Sequence, residues 1–303
     1  MIYQLFYKRK FIMITIDKQK CTDCRKCHDI CPNYVFSLVN NAEKKKSVEL
    51  RYPEQCCVCG HCMAICQTGA LSHESMPLSS FTPVQREEID PESMEKLLVS
   101  RRSTRNYKQK PVPEEMLRKL IEIGTHAGSS SNGQTEEFIV IRDQKKLHQL
   151  ELLVINVLWN AGLKFLNRGF MKTILKRIYG KEVIRQYEAY HNIIKHRREN
   201  NEQEGMIFRN APVVVVVYGI KTNFLAQTNC ALAIRNIEIL AESMGLGTCW
   251  VGFLPSAANK SKKINKFLQI PEDKIILASL MLGFPKYIYR YKLPRRERNV
   301  SWL

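Results

Sequence analysis

The chain contains no apolar run approaching the roughly 20 residues that cross a bilayer, so no membrane-spanning helix is expected. Its first eleven residues mix Tyr and Phe with Lys and Arg, without a clean apolar stretch or a small-residue cleavage site, which argues against a secretory leader. Met13 followed by Ile14-Thr15-Ile16-Asp17 reads as a natural start, which would make residues 1–12 an upstream extension. There is no GxGxxG fingerprint, and hence no sign of a separate dinucleotide-binding domain. His126, His148, His191 and His196 stand at no ligand spacing and carry no assigned role. Acidic residues are also scarce, 29 against 47 Lys and Arg, for a net charge of +18. That excess suits an acidic protein, an anionic membrane face or phosphorylated cofactors; no recognised nucleic-acid motif accompanies it, so nucleic acid is not an expected partner. What remains is an ordinary folded composition, 45% apolar and 25% charged. At 303 residues it is long enough for one small domain and one full-sized domain.

Cysteine is the residue in excess. Nine of the eleven fall between Cys21 and Cys66, and eight of these form two blocks of identical spacing. The first is Cys21-x2-Cys24-x2-Cys27-x3-Cys31-Pro32, and the second Cys56-x2-Cys59-x2-Cys62-x3-Cys66-Gln67. Such clustering in a large chain without an export signal indicates metal binding in a reducing, cytoplasmic compartment rather than disulfides. Short CxxC steps let one tight turn point several sulfurs inward. In the bacterial two-cluster pattern the fourth cysteine of each block ligates the other cluster. That pattern assigns Cys21, Cys24, Cys27 and Cys66 to one [4Fe–4S] cluster, and Cys56, Cys59, Cys62 and Cys31 to the second. Structural zinc is the competing reading, but its ligands come as separated CxxC pairs, a poor fit to four closely stepped cysteines occurring twice. Cys57 breaks the spacing to Cys59 and reads as a bystander, and Gln67 stands where a proline is expected. Residues 13–75 resemble the bacterial two-cluster ferredoxins, a resemblance that implies one-electron transfer at low potential.

Residues 76–92 carry Pro77, Pro83 and Pro91 without a hydrophobic period and read as a linker. Asp90-Pro91 then has the form of a helix start, Asp at the N-cap and Pro in the first turn. Next comes Ser100-Arg101-Arg102-Ser103-Thr104-Arg105, three guanidinium groups interleaved with hydroxyls, a combination suited to holding a phosphate. A helix is expected from about Pro113 to Gly124, followed by the small-residue loop Gly128-Ser129-Ser130-Ser131-Asn132-Gly133-Gln134 and a strand at Phe138–Ile141. Residues 211–219 (APVVVVVYG) read as the central strand and Thr228–Met244 as a largely buried helix. The helix leads into a glycine-rich turn, Gly245-Leu246-Gly247-Thr248-Cys249-Trp250-Val251-Gly252-Phe253. A last strand, Ile275–Gly283, precedes a tail with Arg295 and Arg296.

In order and spacing the Arg-Arg-Ser-Thr-Arg stretch, the small-residue loop, the glycine-rich turn and the tail arginines resemble the nitroreductase superfamily, so residues 93–303 are expected to form one FMN domain. The resemblance implies an α+β fold, a central sheet flanked by helices, and a homodimer with FMN at each of two subunit interfaces. By position, Arg101 and Ser103 would hold the FMN phosphate beside Arg102, with Arg295 or Arg296 adding to it. Arg105 would sit at the pyrimidine edge, where a cation favours the anionic reduced ring. Ser130, Ser131, Asn132 and Gln134 would line the ring or its partner-subunit face, the backbone of Val251 and Gly252 would face N5, and Trp250 would pack near the ring. Where many relatives continue the loop as Gln-Pro-Trp, this chain has Gln134-Thr135-Glu136-Glu137. Cys230 and Cys249 read as core thiols.

Residues 151–207 form an expected helical insert. Lys164, Arg168, Lys172 and Lys176 fall on one helix face, with Leu166, Phe170, Ile174 and Ile178 on an apolar side taken to face the core. The basic face reads as solvated surface, the alternative being a docking face for an anionic membrane or an acidic ferredoxin. The expected activity carries electrons from a ferredoxin-type donor or NAD(P)H through two clusters to FMN, then to a small acceptor such as a nitroaromatic, quinone or activated alkene. Another flavin reaction, such as reductive dehalogenation, would use the same cofactors. A different class of reading makes the chain a flavin redox sensor or electron carrier acting on a macromolecule. No catalytic side chain is assigned, because flavin N5 performs the transfer.

Overall fold

Cysteines every third residue leave room only for short elements, and the first part of the chain is built accordingly. The computed structural model describes residues 14–40, 45–85, 87–166, 173–174, 176–178 and 180–303. They divide into two units, residues up to Glu88 together with Ser129–Gln134, and Ile89–Gly128 together with Thr135–Leu303.

In the first unit β1 (Ile14–Ile16), α1 (Lys26–Ile30), β2 (Phe36–Asn40), β3 (Lys46–Leu50), α2 (His61–Ile65) and β4 (Leu71–His73) follow in order. β1 pairs antiparallel with β4, Ile14 opposite His73, and β2 pairs with β3. Each five-residue helix is entered through a left-handed residue, Arg25 at φ 65° and Gly60 at φ 73°, which turns the chain sharply inside each cysteine block. A Cβ at position 60 would also stand 2.9 Å from the Met76 sulfur, so a side chain there would have to displace the end of Met76. Ile14, Val35, Phe36, Val48, Met63 and Leu71 form the core, with Cys27, Cys31, Cys56, Cys62 and Cys66 packed against it.

In the second unit the elements are α3 (Pro91–Ser100), α4 (Glu114–Thr125), β5 (Glu137–Ile141), α5 (Gln144–Leu166), α6 (Lys181–Glu199), β6 (Val213–Ile220), α7 (Ala226–Ser243), β7 (Gly247–Trp250), α8 (Phe253–Ala258), α9 (Lys262–Phe267) and β8 (Lys274–Gly283). Asp90 caps α3 as expected, accepting from the Ser93 N–H at 2.9 Å and the Glu92 N–H at 3.4 Å. The sheet has the order β5-β6-β8-β7, antiparallel throughout. The valine run of β6 is buried on both faces: Val214 and Val216 meet Leu150 and Val154 of α5, while Val213, Val215 and Val217 meet Leu120 of α4 and Ile234 of α7. Each such side chain contributes about 1.5–3 kcal/mol relative to exposure, which fixes the sheet between two helical layers.

Three expectations change. The glycine-rich turn contains a strand: the chain leaves α7 through Gly245 (φ 71°), and Gly247–Trp250 pair with β8, Thr248 opposite Leu282. Ser129–Gln134 groups with the cysteine-bearing unit rather than with the residues around it, because Asn132 Nδ2 donates to the Val58 carbonyl at 2.8 Å. In the insert, Arg168, Phe170 and Lys172 lie outside the described residues, and Ile174 and Ile178, expected to face the core, are 36% and 65% exposed.

Candidate functional site

In the first unit Cys31, Cys56, Cys59 and Cys62 line one cleft with His73, and Cys21, Cys24, Cys27 and Cys66 line a second that Cys62 also borders. Each cleft thus takes three cysteines from one block and the fourth from the other. Burial pushes the Cys27 thiol up to about 11 and the Cys62 thiol up to about 12. A bare thiolate is disfavoured at both places, and the positive charge of a bound metal reverses that balance. At Cys66 burial again acts upward, but the Thr68 hydroxyl 3.7 Å away and neighbouring backbone N–H groups outweigh it and lower the thiol. Among the described residues no three His, Cys, Asp or Glu side chains converge as they would on one ion. Each cleft is lined by thiols from both cysteine blocks, the donor chemistry of an iron–sulfur cluster. Cys57 is buried and borders the first of the two clefts.

In the second unit Arg101 to Arg105 lie along the free edge of β7. Ser103 bridges to Thr248, and the Thr104 N–H donates to the Thr248 carbonyl at 2.8 Å. Gly247 makes that approach possible, since a Cβ there would fall 2.3 Å from Thr104 Oγ1. Arg101 Nη1 lies 3.2 Å from Glu238, whose side chain is 3% exposed and which also receives the Thr248 hydroxyl at 3.4 Å. The pairing takes one of five guanidinium donors and holds the planar fork in place. Arg102 is committed differently: Nη1 donates to the carbonyls of Val99 (2.6 Å) and Arg101 (2.9 Å), closing the C-terminus of α3, and Nη2 donates to that of Tyr291 (3.3 Å). Arg105 is exposed.

At the end of β7 the Val251 N–H donates to the Ser279 carbonyl (2.9 Å), and the Val251 carbonyl accepts the Ser279 hydroxyl (2.7 Å). Both backbone groups of Val251 are therefore spent on the sheet. Gly252 is different: nothing lies within 4 Å of where its Cβ would stand, and Trp250 beside it is 40% exposed. The structure thus brings Arg101, Ser103 and Thr248 together, with Trp250 and Gly252 at the far end of the same strand. Among the described residues it draws no hydrogen bond from Arg295 or Arg296 to the 101–105 stretch; both are exposed in the tail. Ser130, Ser131, Asn132 and Gln134 belong to the other unit. Ser131, Asn132 and Gln134 all have φ near 50°, and Gln134 Nε2 donates to Asn132 Oδ1 at 2.9 Å.

Sequence reasoning passed over Glu238, Glu242 and His73. The first two stand one helical turn apart as the two acidic residues of a largely buried helix, a signal visible in the sequence. Burial raises the Glu242 carboxyl, which accepts the Ser100 hydroxyl at 3.4 Å, so both carboxyl groups anchor the arginine stretch to α7.

Comparison with known proteins agrees with this division. Residues 20–70 match the 4Fe-4S dicluster domain, and residues 98–284 match the Nitroreductase family. An FMN reductase (NADPH) of Bacillus subtilis is 24% identical over 205 residues, spanning 68% of this chain and 70% of that protein. Two solved structures share the fold. A nitroreductase with bound FMN from Bacteroides fragilis has TM-score 0.53 at 21% identity, covering 69% of this chain and 98% of its own. A nitroreductase with bound FMN from Desulfitobacterium hafniense has TM-score 0.51 at 20% identity, with the same coverage. With more than half of its length matched and the dicluster domain ahead of it, the chain belongs to the nitroreductase family as a ferredoxin–nitroreductase fusion.

Proposed function

We propose that this chain is an FMN- and iron–sulfur-dependent oxidoreductase. Electrons from a ferredoxin-type donor or NAD(P)H pass through two [4Fe–4S] clusters to FMN and then to a small acceptor such as a nitroaromatic, quinone or activated alkene. The observation that carries the reading is the exchange of the fourth cysteine between the two clefts, Cys31 with the second block and Cys66 with the first. That arrangement supports two cubes held side by side, suited to passing single electrons.

When bound, FMN accepts single electrons and delivers them as a pair or as hydride. The chain's own residues bind and orient. Ser103 and the donors of Arg101 not used by Glu238 hold the phosphate, and Arg102 stiffens the same stretch by closing α3. Arg105 places a permanent cation at the pyrimidine edge. Gly252 offers the open backbone approach to the ring that Val251 does not, and Trp250 packs alongside. Arg295 and Arg296 act from the tail. We assign that tail to a homodimer, because its apolar side chains lie bare on the single chain.

Anaerobic purification with iron, sulfide and flavin analysis tests the reading. About eight irons per chain and a stoichiometric flavin are expected, Cys31→Ser should remove about half of the iron, and Cys57→Ser should leave it in place. A colourless, zinc-loaded protein would overturn it. Turnover of an acceptor panel with reduced ferredoxin, NADH and NADPH then identifies the donor.

A further inference from the structure

His73 ends β4, and the strand's alternation turns it inward: Leu71 is 3% exposed, Ser72 is exposed, and His73 is 6% exposed. A buried imidazole must place both ring nitrogens. The Ser75 N–H donates to Nδ1 at 3.2 Å. A nitrogen that accepts carries no proton, so the neutral ring bears its hydrogen on Nε2. Nε2 lies 3.8 Å from Cys56 Sγ, a hydrogen-bonding distance to sulfur. The same sulfur faces the Val58 N–H at 3.4 Å. Across the unit the surroundings have the opposite sign. Cys21 Sγ lies 3.7 Å from the Asp23 carboxylate, which the Val48 N–H (2.9 Å) and the Ser47 hydroxyl (3.1 Å) hold in place.

We infer that His73 donates Nε2–H to the Cys56 sulfur and so raises the reduction potential of the cluster held by Cys31, Cys56, Cys59 and Cys62 above that of its neighbour. The inference rests on the two-cluster reading above. Reduction adds one electron to a cube whose charge is spread over its thiolate sulfurs, with no bond made or broken. An N–H aimed at one sulfur stabilises the electron-rich state more than the oxidised one, whereas a carboxylate beside the other cube does the reverse. Electrons entering the pair therefore rest on the cluster of the second block.

The test is an EPR-monitored redox titration of the intact protein, together with pulsed EPR of the reduced protein grown on histidine labelled with 15N in the imidazole ring only. Two one-electron steps are expected. His73→Leu should lower the higher step alone by about tenfold in equilibrium, about 59 mV for one electron, while His73→Gln, which keeps an N–H donor, should leave it close to native. A weak 15N coupling to a reduced cluster should appear in the native protein and vanish in His73→Leu. Unchanged steps, an equal shift of both, or a shift of the lower step alone would overturn the inference. So would the absence of any 15N coupling in the native protein, its persistence in the variant, or a coupling as strong as that of a nitrogen bound to iron. If His73→Leu fails to assemble, the native coupling and the potential of His73→Gln decide. Iron and sulfide analysis comes first: missing clusters sink the two-cluster reading, whereas intact clusters indifferent to His73 sink only this inference.

Discussion

Glu137 opens β5 with two partners on its carboxylate, the Lys274 ammonium and the Tyr218 hydroxyl, the latter at 2.7 Å. These contacts stand one residue beyond the departures from Gln-Pro-Trp at Thr135 and Glu136, and they tie β5 to β6 and β8. The hydrogen bond from Lys274 is the largest influence on the Glu137 carboxyl and holds it below its ordinary value of 4.5, while burial, then the neighbouring carboxylate, pushes Tyr218 up to about 12. A depressed folded-state value means that the stabilisation is present above about pH 4.5 and fades as pH falls through the lowered one. Glu137→Gln should therefore cost about 0.5–1 kcal/mol at neutral pH, a modest figure because the side chain is partly exposed. The difference from the native protein should vanish in acid, as read by denaturant titrations at pH 7 and pH 3. At this scale the sequence was legible where chemistry is local. The cysteine spacing and the Asp90 cap rest on partners a few residues away. Arg101 and Glu238 are 137 positions apart and His73 and Cys56 are 17 apart, so no local pattern announced either contact.

Among the elements, β7 shows how composition misleads. Glycine at 245, 247 and 252 argues for a turn, yet Gly247 is there because Thr104 packs where its side chain would be. Gly247→Ala should destabilise the protein by about 1–3 kcal/mol, the range for overpacking a tight contact. Thr104→Ala, which removes Oγ1 and Cγ2 but leaves the Thr104 Cβ at 2.7 Å, should recover part of that loss in the double variant. Thermal or chemical unfolding of the three variants checks both statements, and additivity of the two changes would refute the contact as the cause. The helices 91–100, 114–125 and 226–243 were legible within a few residues because their apolar period and end signals agree. β7 was not, because four residues on a sheet edge carry too little pattern to outweigh three glycines.

For the whole molecule, residues after Lys286 lack regular structure and expose Ile288 (89%), Tyr291 (82%) and Trp302 (93%). Several large apolar side chains so bare along one tail suit burial against another surface. Ending the chain at Lys286 should convert the proposed dimer to a monomer, weakening self-association more than about a hundredfold, since burying each such side chain contributes about 1.5–3 kcal/mol. Light scattering across a dilution series reads this directly, and a dimer that survives would place the interface elsewhere. The fold class and the order of the two parts could be read from the sequence; the grouping of Ser129–Gln134 with the first unit could not, because a hydrogen bond rather than a composition change ties Asn132 to Val58. That excursion has an evolutionary corollary. The polypeptide leaves one unit after Gly128 and returns at Thr135, so a shortened descendant beginning at Ile89 would inherit the loop without the Val58 carbonyl that anchors it.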